Sequence, residues 1–493
     1  MIAALGLSLL ASGPLLREDR FRVERPSEVV ATLTARCERC DWGQPGREAA
    51  ALVLSVDGKY SQHLILSRGE GPADYRVALG ALAAGPHELR VHLDRAASAK
   101  QVGAVSLDPA RLAFVPEDGS DHQLLAYAPI LHARPDTLER FTDLPLLLWC
   151  EREAIPGGHR LRYSVVFSNE DGGTPIDRLM ATWGRSTDIE YVYSVEMDDA
   201  GNLLREEFQG KDHKLLPFRG PHEGTHPREW VVTDNNMVGD QGDTTRRYAL
   251  APEEFDLEDV SREEVMDAHP WAYRVSAQEA RREGRVADDA RPGRGRIPDP
   301  RRFATLEACG ELQDAALSFA LGAAGPGGET RWYESDGGEP RFRIARSGCF
   351  RGAVALPAGE ERRLVALRVR AHTRLPREGE APLPPGTGHA RLTRINKLFL
   401  LGENDEPAEN LFAWVGEADR LVALRLRAHT RLPREGEPPL PPGTGRARLT
   451  RINKLFLLGE DDEPAENLFG WAGEAALVAE GPPLELALAR TPR

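Results

Sequence analysis

Short runs in which apolar and polar residues alternate account for most of this chain. Between residues 24 and 115 the segments EVVATLTA, AAALVLSVDG, YSQHLILS, DYRVALGAL and HELRVHLD follow one another, with Gly, Pro or Asp between them. A period of two puts every other side chain on one face of a strand, so each segment predicts a strand with one buried face. Two sheets of such strands close a core between them, which predicts an antiparallel β-sandwich over 23–117. The pattern continues in LLAYAPILHA, DLPLLLWCERE, HRLRYSVVFSN, DIEYVYSVEMD and REWVVTDNN, with a hairpin turn at DDAGNL (198–203). These segments predict a central β-rich domain over 118–300.

One stretch, 259–286, has helical rather than strand spacing. Ser261 and Glu264 have the spacing of a capping box, which predicts a helix ending at His269-Pro270 and a second one over WAYRVSAQEARREG. The Arg-, Pro- and Gly-rich ADDARPGRGRIPDPRR that follows reads as an exposed loop. A C-terminal β domain over 301–493 holds a tandem duplication. Residues 363–419 recur at 420–476 with seven differences, including Val369/Leu426, His389/Arg446 and Asn404/Asp461. Each copy has an alternating strand, a loop containing PLPPGTG, and a second strand ending in Leu398–Leu401 or Leu455–Leu458. Both copies offer the same apolar positions and so compete for the same neighbours. Two copies are too few for a solenoid, which needs about three or more. The expected fold is mainly β: an N-terminal sandwich, a larger β-rich region with a small helical insertion, and a 57-residue duplication.

Composition narrows the function classes. A net charge of −14, with no basic block free of interleaved acids, argues against a nucleic-acid partner. Almost all basic residues are Arg, which together with abundant Ala, Gly and Pro fits a GC-rich bacterial genome. The N-terminal MIAALGLSLLASGPLL has the core of a signal peptide over 1–22, with an apolar first strand as the alternative. No other run approaches the ~18 apolar residues of a membrane span. Five cysteines suit an exported protein that pairs four of them. Cys37 and Cys40, in CERC, read as a local disulfide, as free thiols, or as a redox or metal pair. Cys309 and Cys349 lie in strand-like segments that a bridge would join, and Cys150 sits in an apolar run, buried and unpaired. The expected location is secreted or periplasmic, with the cytoplasm as alternative.

Three features bear on chemistry. His222-Glu-Gly-Thr-His226 spells H-E-x-x-H, in which two histidines one helical turn apart bind zinc and the glutamate polarises a metal-bound water. That reading makes His222 and His226 metal ligands, Glu223 the catalytic base, and Glu263, with Asp267 four residues on, the third-ligand element. The surrounding RGPHEGTHPREW opposes it. Pro221, Gly224 and Pro227 leave at most five residues for a helix, so a turn between strands with solvated histidines is expected. Second, Asn169-Glu170-Asp171-Gly172-Gly173 and Asp234-Asn235-Asn236 supply hard oxygens suited to a divalent cation such as calcium, or the side chains of ordinary turns. Third, Trp42, Tyr60 and Tyr75 would form a sugar-stacking platform if exposed together, or sandwich core if not.

LLAYAPILHARPD (124–136) resembles the opening of the vacuolar-protein-sorting-associated β-rich family. DIEYVYSVEMDDAGNL (188–203), followed by His213 and GTHP (224–227), is similar to that family's acidic strand and later histidine. The chain departs from the pattern at Asp188-Ile-Glu190, where Asp-Trp-Glu is expected, and lacks a preceding His-Glu-Gly. The resemblance spans about 124–227 and implies a β-rich fold with no settled activity. The sequence thus favours an exported binding or surface-associated protein with a carbohydrate or cell-surface partner. The alternatives are a metal-dependent hydrolase using the central His/Asp/Glu cluster and a structural envelope protein.

Overall fold

Asp57 and Gly58 show how local chemistry starts the first sheet. Both have positive φ, +51° and +75°, the backbone that a two-residue hairpin turn requires. They join β3 (Ala51–Val56) to β4 (Lys59–Ile65) in antiparallel register. The computed structural model describes residues 13–408 and the short segments 412–413, 456–458, 464–467, 471–478, 484–487 and 489–490. Most of the leader and most of the second repeat copy lie outside the described residues. The chain is mainly β and divides into two units. The first comprises 1–258, 270–301 and 402–406; the second comprises 259–269, 302–401 and 407–493.

The first unit begins with a sandwich. One sheet has the order β1 (Leu15–Val23), β6 (Gly85–Asp94), β3, β4. The other pairs β2 (Ser27–Cys37) with β5 (Ala73–Leu82) along one edge and with β7 (Val105–Leu107) and β8 (Arg111–Pro116) along the other. A six-stranded sheet follows. It comprises β10 (Pro145–Ile155), β11 (Gly158–Phe167), β12 (Asp188–Asp198), β13 (Leu203–Gly210), β14 (Lys214–Pro217) and β19 (Glu253–Glu254). The sheet that positions the candidate site is smaller. It holds β9 (Ile130–His132), β15 (His222–Glu223), β16 (His226–Val231), β17 (Val238–Gly239) and β18 (Arg247–Tyr248). The sandwich is stitched to the neighbouring chain by the bridge Val77↔Leu250 and by the Gln62 amide, which bonds Ala78 O (2.7 Å) and Ala249 N (2.9 Å).

Helices are few. Two of them fall where alternation predicts strand or loop. The start of LLAYAPILHA forms the short helix α1 (His122–Ala126), and only Ile130–His132 is strand. After the four-residue α2 (Thr137–Arg140) comes α3 (Ile176–Trp183), which the alternating pattern misses. It buries Ile176, Leu179 and Met180 at helical spacing and ends at Gly184 (φ +64°). The Asp177 carboxylate on α3 accepts the backbone amides of Gly293, Arg294 and Gly295, which pins the Arg/Gly-rich loop. The helical insertion is observed as α4 (Glu264–Ala268) and α5 (Trp271–Arg282). The capping box does not form, because the Ser261 hydroxyl donates instead to the buried Glu307 carboxylate (2.7 Å).

The second unit is a sandwich with one continuous core. One sheet sets β20 (Phe303–Gln313) between β23 (Gly348–Ala355) and β25 (His389–Leu400), with Trp471–Val478 beyond β25. The other sets β21 (Ala315–Ala324) between β22 (Thr330–Glu334) and β24 (Leu364–Thr373), with Leu484–Ala487 beyond β24. Leu306, Phe350, Leu392 and Leu398 meet Leu317, Phe319, Leu367 and Val369 between the sheets. The first repeat copy therefore contributes one interior strand to each sheet. Leu398, Phe399 and Leu400 are buried and Leu401 is half-buried, while the proline-rich loop is exposed. The side chains of Leu455–Leu458 lie outside the described residues.

Candidate functional site

The H-E-x-x-H segment is a hairpin. Pro221 and Pro227 deny it helical hydrogen bonding, and Gly224 (φ +65°) supplies the turn. His222 pairs with Pro227 and Glu223 with His226. Cross-strand partners share a face, so Glu223 and His226 point one way and His222 the other. His222 Nε2 lies 2.8 Å from Glu206 Oε1, with its ring edge-on to Phe218 (5.1 Å between centroids). The turn agrees with the sequence, but one histidine is not solvated: His226 is buried. Its Nδ1 donates to Ala128 O (3.0 Å), and its Nε2 lies 3.3 Å from Glu28 Oε2. Burial pushes its pKa down, yet Glu28 outweighs that and the net shift is upward. Glu263 belongs to the second unit, where it is buried beside Arg262 (4.0 Å). Among the described residues no group of three His, Cys, Asp or Glu is placed to hold a metal ion.

The Glu223–His226 face lines a cavity of ≈ 260 Å³. Its polar wall includes Asp57, Lys59, Tyr60, Ser61, Glu223, His226 and Arg247, and Ala128, Pro129, Ile130 and Leu250 are part of its apolar wall. A bulge in β5 shapes it: Val29 pairs with Gly80 and Val30 with Ala78, so Leu79 is extra. Gly80 takes φ +80°, and a Cβ there would lie 3.9 Å from His226 Nε2. Arg247 clamps the Glu223 carboxylate with both terminal nitrogens, donates from Nε to Ser61 O (2.5 Å), and stacks over the Tyr60 ring at 5.5 Å. Burial is the largest influence on Glu223, but Arg247 overcomes it and holds the carboxyl below its ordinary value. The Tyr60 hydroxyl accepts from Arg247 N (3.2 Å) and lies 2.8 Å from His63 Nδ1.

Of the three aromatics read as a platform or as sandwich core, Tyr60 alone lines this cavity. Trp42 is core, with Nε1 donating to Glu279 (2.8 Å) and Phe141 edge-on at 6.1 Å. Tyr75 OH accepts from Arg68 N (3.1 Å). Of the readings left open for Cys37 and Cys40, the disulfide is the one observed; the Cys309–Cys349 bridge is present, and Cys150 is free and buried.

The two acidic segments read as cation ligands or as turns lie against each other. Gly172 N donates to Asp234 O (2.9 Å), and the Asn236 amide donates to Asn169 O and to Asp188 (both 3.0 Å). Among them lies a guanidinium. Arg134 reaches Asp143 (2.8 Å), Asp171 (2.7 Å) and Asp234. Arg140 and Arg285 also reach Asp171. Asp171 is thereby held below its ordinary pKa although burial opposes this. Asp143 keeps the proton instead. Burial, followed by repulsion from Asp171 and Glu279, pushes it up to about 10 despite Arg134. Its Oδ1 has no hydrogen-bond partner.

The buried acids of the first unit carry a pH prediction. Asp143, Glu170, Glu229 and Glu279 all have raised pKa values, burial being the first cause of each. Each binds a proton in the folded state at a pH where the unfolded chain has lost it, so its contribution falls as pH rises towards the folded pKa. His226 has the same sign. His63 and His132 are lowered, mainly by burial, and oppose the trend only below their unfolded pKa. The first unit should therefore melt at a higher temperature at about pH 6.5 than at about pH 8.5. Asp143→Asn should raise the melting temperature at the higher pH and flatten the slope. An unchanged slope would show that Asp143 is ionised in the fold.

No protein-family model matches this chain, and no curated protein matches it. Solved structures similar to part of it include NLPPya in complex with mannosamine and NLPPya in complex with glucosamine. Each is 12% identical, covers 29% of this chain and 76% of its own, and superposes at a TM-score of 0.21. At that score the likeness carries no argument about ligand or activity.

Proposed function

We propose that this protein is an exported binding module that takes a single sugar-sized ring, a monosaccharide or a glycan terminus, into the first-unit cavity. The observation that supports this reading is the cavity itself. At ≈ 260 Å³ it falls just below the roughly 300–1,000 Å³ of drug-sized sites. It pairs one aromatic ring with converging charged and hydroxyl groups on rigid strands, the mix that suits a polyhydroxylated ring with one apolar face. The two disulfides fit an oxidising compartment. Among the described residues no helix is long and apolar enough to cross a membrane. The resemblance of 124–227 to the vacuolar-protein-sorting-associated family is carried within this proposal and adds no activity to it.

A glycan array followed by calorimetry tests the reading. Ala81 lines the cavity and is exposed, so Ala81→Trp should cover the mouth without disturbing the core. Glycan affinity should fall about tenfold or more, the loss of roughly one good contact. Undiminished binding by the variant would place the ligand elsewhere, and an array without hits would remove the glycan reading.

A further inference from the structure

We infer that the ligand of this cavity carries a carboxylate, as a uronic acid does, and that Lys59 selects it. The inference rests on the binding reading above and deepens it by naming the chemical class.

The charged groups lining the cavity are, with one exception, already paired. Asp57 uses both carboxylate oxygens, Oδ2 on His87 Nδ1 (2.7 Å) and Oδ1 on Glu88 N (2.9 Å). His87 Nε2 also faces an acceptor, Ala83 O, at 2.8 Å. An imidazole with acceptors at both nitrogens is stabilised as the cation, so Asp57 and His87 cancel. Glu223 and Arg247 cancel in the same way through a two-pronged pair. His226 and Glu28 form a third pair, buried at the base of the cavity.

Lys59 is the exception. It is exposed on the rim, held at the first position of β4 by the Asp57-Gly58 turn. Among the described residues it forms no salt bridge. The field behind the polar wall has the same sign. Arg228 donates to His132 Nε2 (3.2 Å), which burial keeps neutral with a pKa lowered to about 4. It stacks over Trp230 at 5.2 Å, and its charge is felt at Glu223. Farther back, Arg246 and Asp94 both act on Tyr60 with opposite signs and offset one another. The charge of Arg228 thus reaches Glu223, and the cavity presents paired charges plus an exposed ammonium at its mouth, which is also felt at Asp57. A neutral sugar would leave that charge unused, an amino sugar would meet repulsion, and an acidic sugar would place its carboxylate on Lys59. A lysine suits this task, because its flexible stem can follow a group at the rim.

The test is calorimetry of the full chain with glucose, glucuronate and glucosamine, which share a ring and differ in charge. Glucuronate should bind about tenfold more tightly than glucose, the scale of one charge-assisted hydrogen bond. Raising the salt to about 0.5 M should shrink that ratio, because the pair is exposed. Lys59→Gln should bring the ratio close to one, and Lys59→Glu should invert the preference towards glucosamine. Lys59 is on the surface, and an unchanged melting temperature will confirm that both variants fold. Equal affinities for the three sugars in the unmodified protein, or a preference that survives Lys59→Gln, would overturn the inference and leave the binding reading standing. Failure of all three to bind would overturn the inference, and the glycan array then decides the binding reading.

Discussion

Replacing Arg351 with methionine is expected to cost the second unit about 3–5 kcal/mol, the scale of breaking a buried ion pair by removing one partner. Arg351 has no exposed surface. Its Nε donates to Glu307 (2.6 Å), and its two terminal nitrogens grip Asp267 (2.9 and 2.7 Å). Glu307, equally buried, also accepts from Ser261 (2.7 Å) and Asn396 (2.8 Å). Lys397 closes the network on Glu264 (2.6 Å) and Asp267 (2.7 Å). Arg351 and Lys397 thus both hold carboxylates of this network, and the variant removes the more deeply buried of these two cations. Burial pushes Asp267 up, but Arg351 and Lys397 outweigh it and hold the carboxyl far below its ordinary value. That stability is present above the unfolded pKa and lost only as pH falls through the folded one. In the variant burial should prevail at Asp267, its carboxylate should bind a proton, and stability should fall as pH rises. Denaturant melts at about pH 5 and about pH 8 read both the loss and the reversed slope. Adding Glu307→Gln should recover part of the loss by removing a stranded charge. A loss under about 1 kcal/mol would mean that the sandwich core carries the unit's stability without the network.

Removing the Cys309–Cys349 bridge should cost the same unit about 4 kcal/mol. The bridge joins directly paired residues of β20 and β23 across a sequence separation of 40. In the chain-entropy account, a loop of about that length removes ~4 kcal/mol of freedom from the unfolded chain. Cys37–Cys40 spans a separation of 3 and constrains far less. Reductant should therefore lower the melt of the second unit much more than that of the first. The double variant Cys309→Ala/Cys349→Ala should reproduce the effect in the absence of reductant. Two transitions that move equally, or not at all, would show that the sheet already restricts the unfolded chain as much as the bridge does.

Most strands are legible in the sequence because the period of two and the turn residues act over a few positions. Asp57-Gly58 announces its hairpin, and Pro221, Gly224 and Pro227 rule out a zinc-binding helix although His222–His226 spells one. Cys309 and Cys349 lie in two strand-like segments that a bridge would join, and the fold pairs those strands. Helix α3 also left a local mark, in the spacing of Ile176, Leu179 and Met180, beneath the neighbouring alternation. The site is a different matter. Tyr60 meets Arg247 across a separation of 187 residues, and His226 meets Ala128 across 98. Nothing near Lys59 or Asp57 marks them as the rim of a cavity. The acidic segments 169–173 and 234–236 read as cation ligands or as ordinary turns, and only the tertiary fold brings the guanidinium of Arg134 among them. The fold likewise decides that Ser261 serves Glu307 rather than a helix end, and that His226 is buried while His222 stays near the surface. Alternation and turn chemistry belong to neighbours in sequence, and these determine strands. Desolvation and charge pairing belong to neighbours in space, and these determine which polar residues are free to meet a ligand.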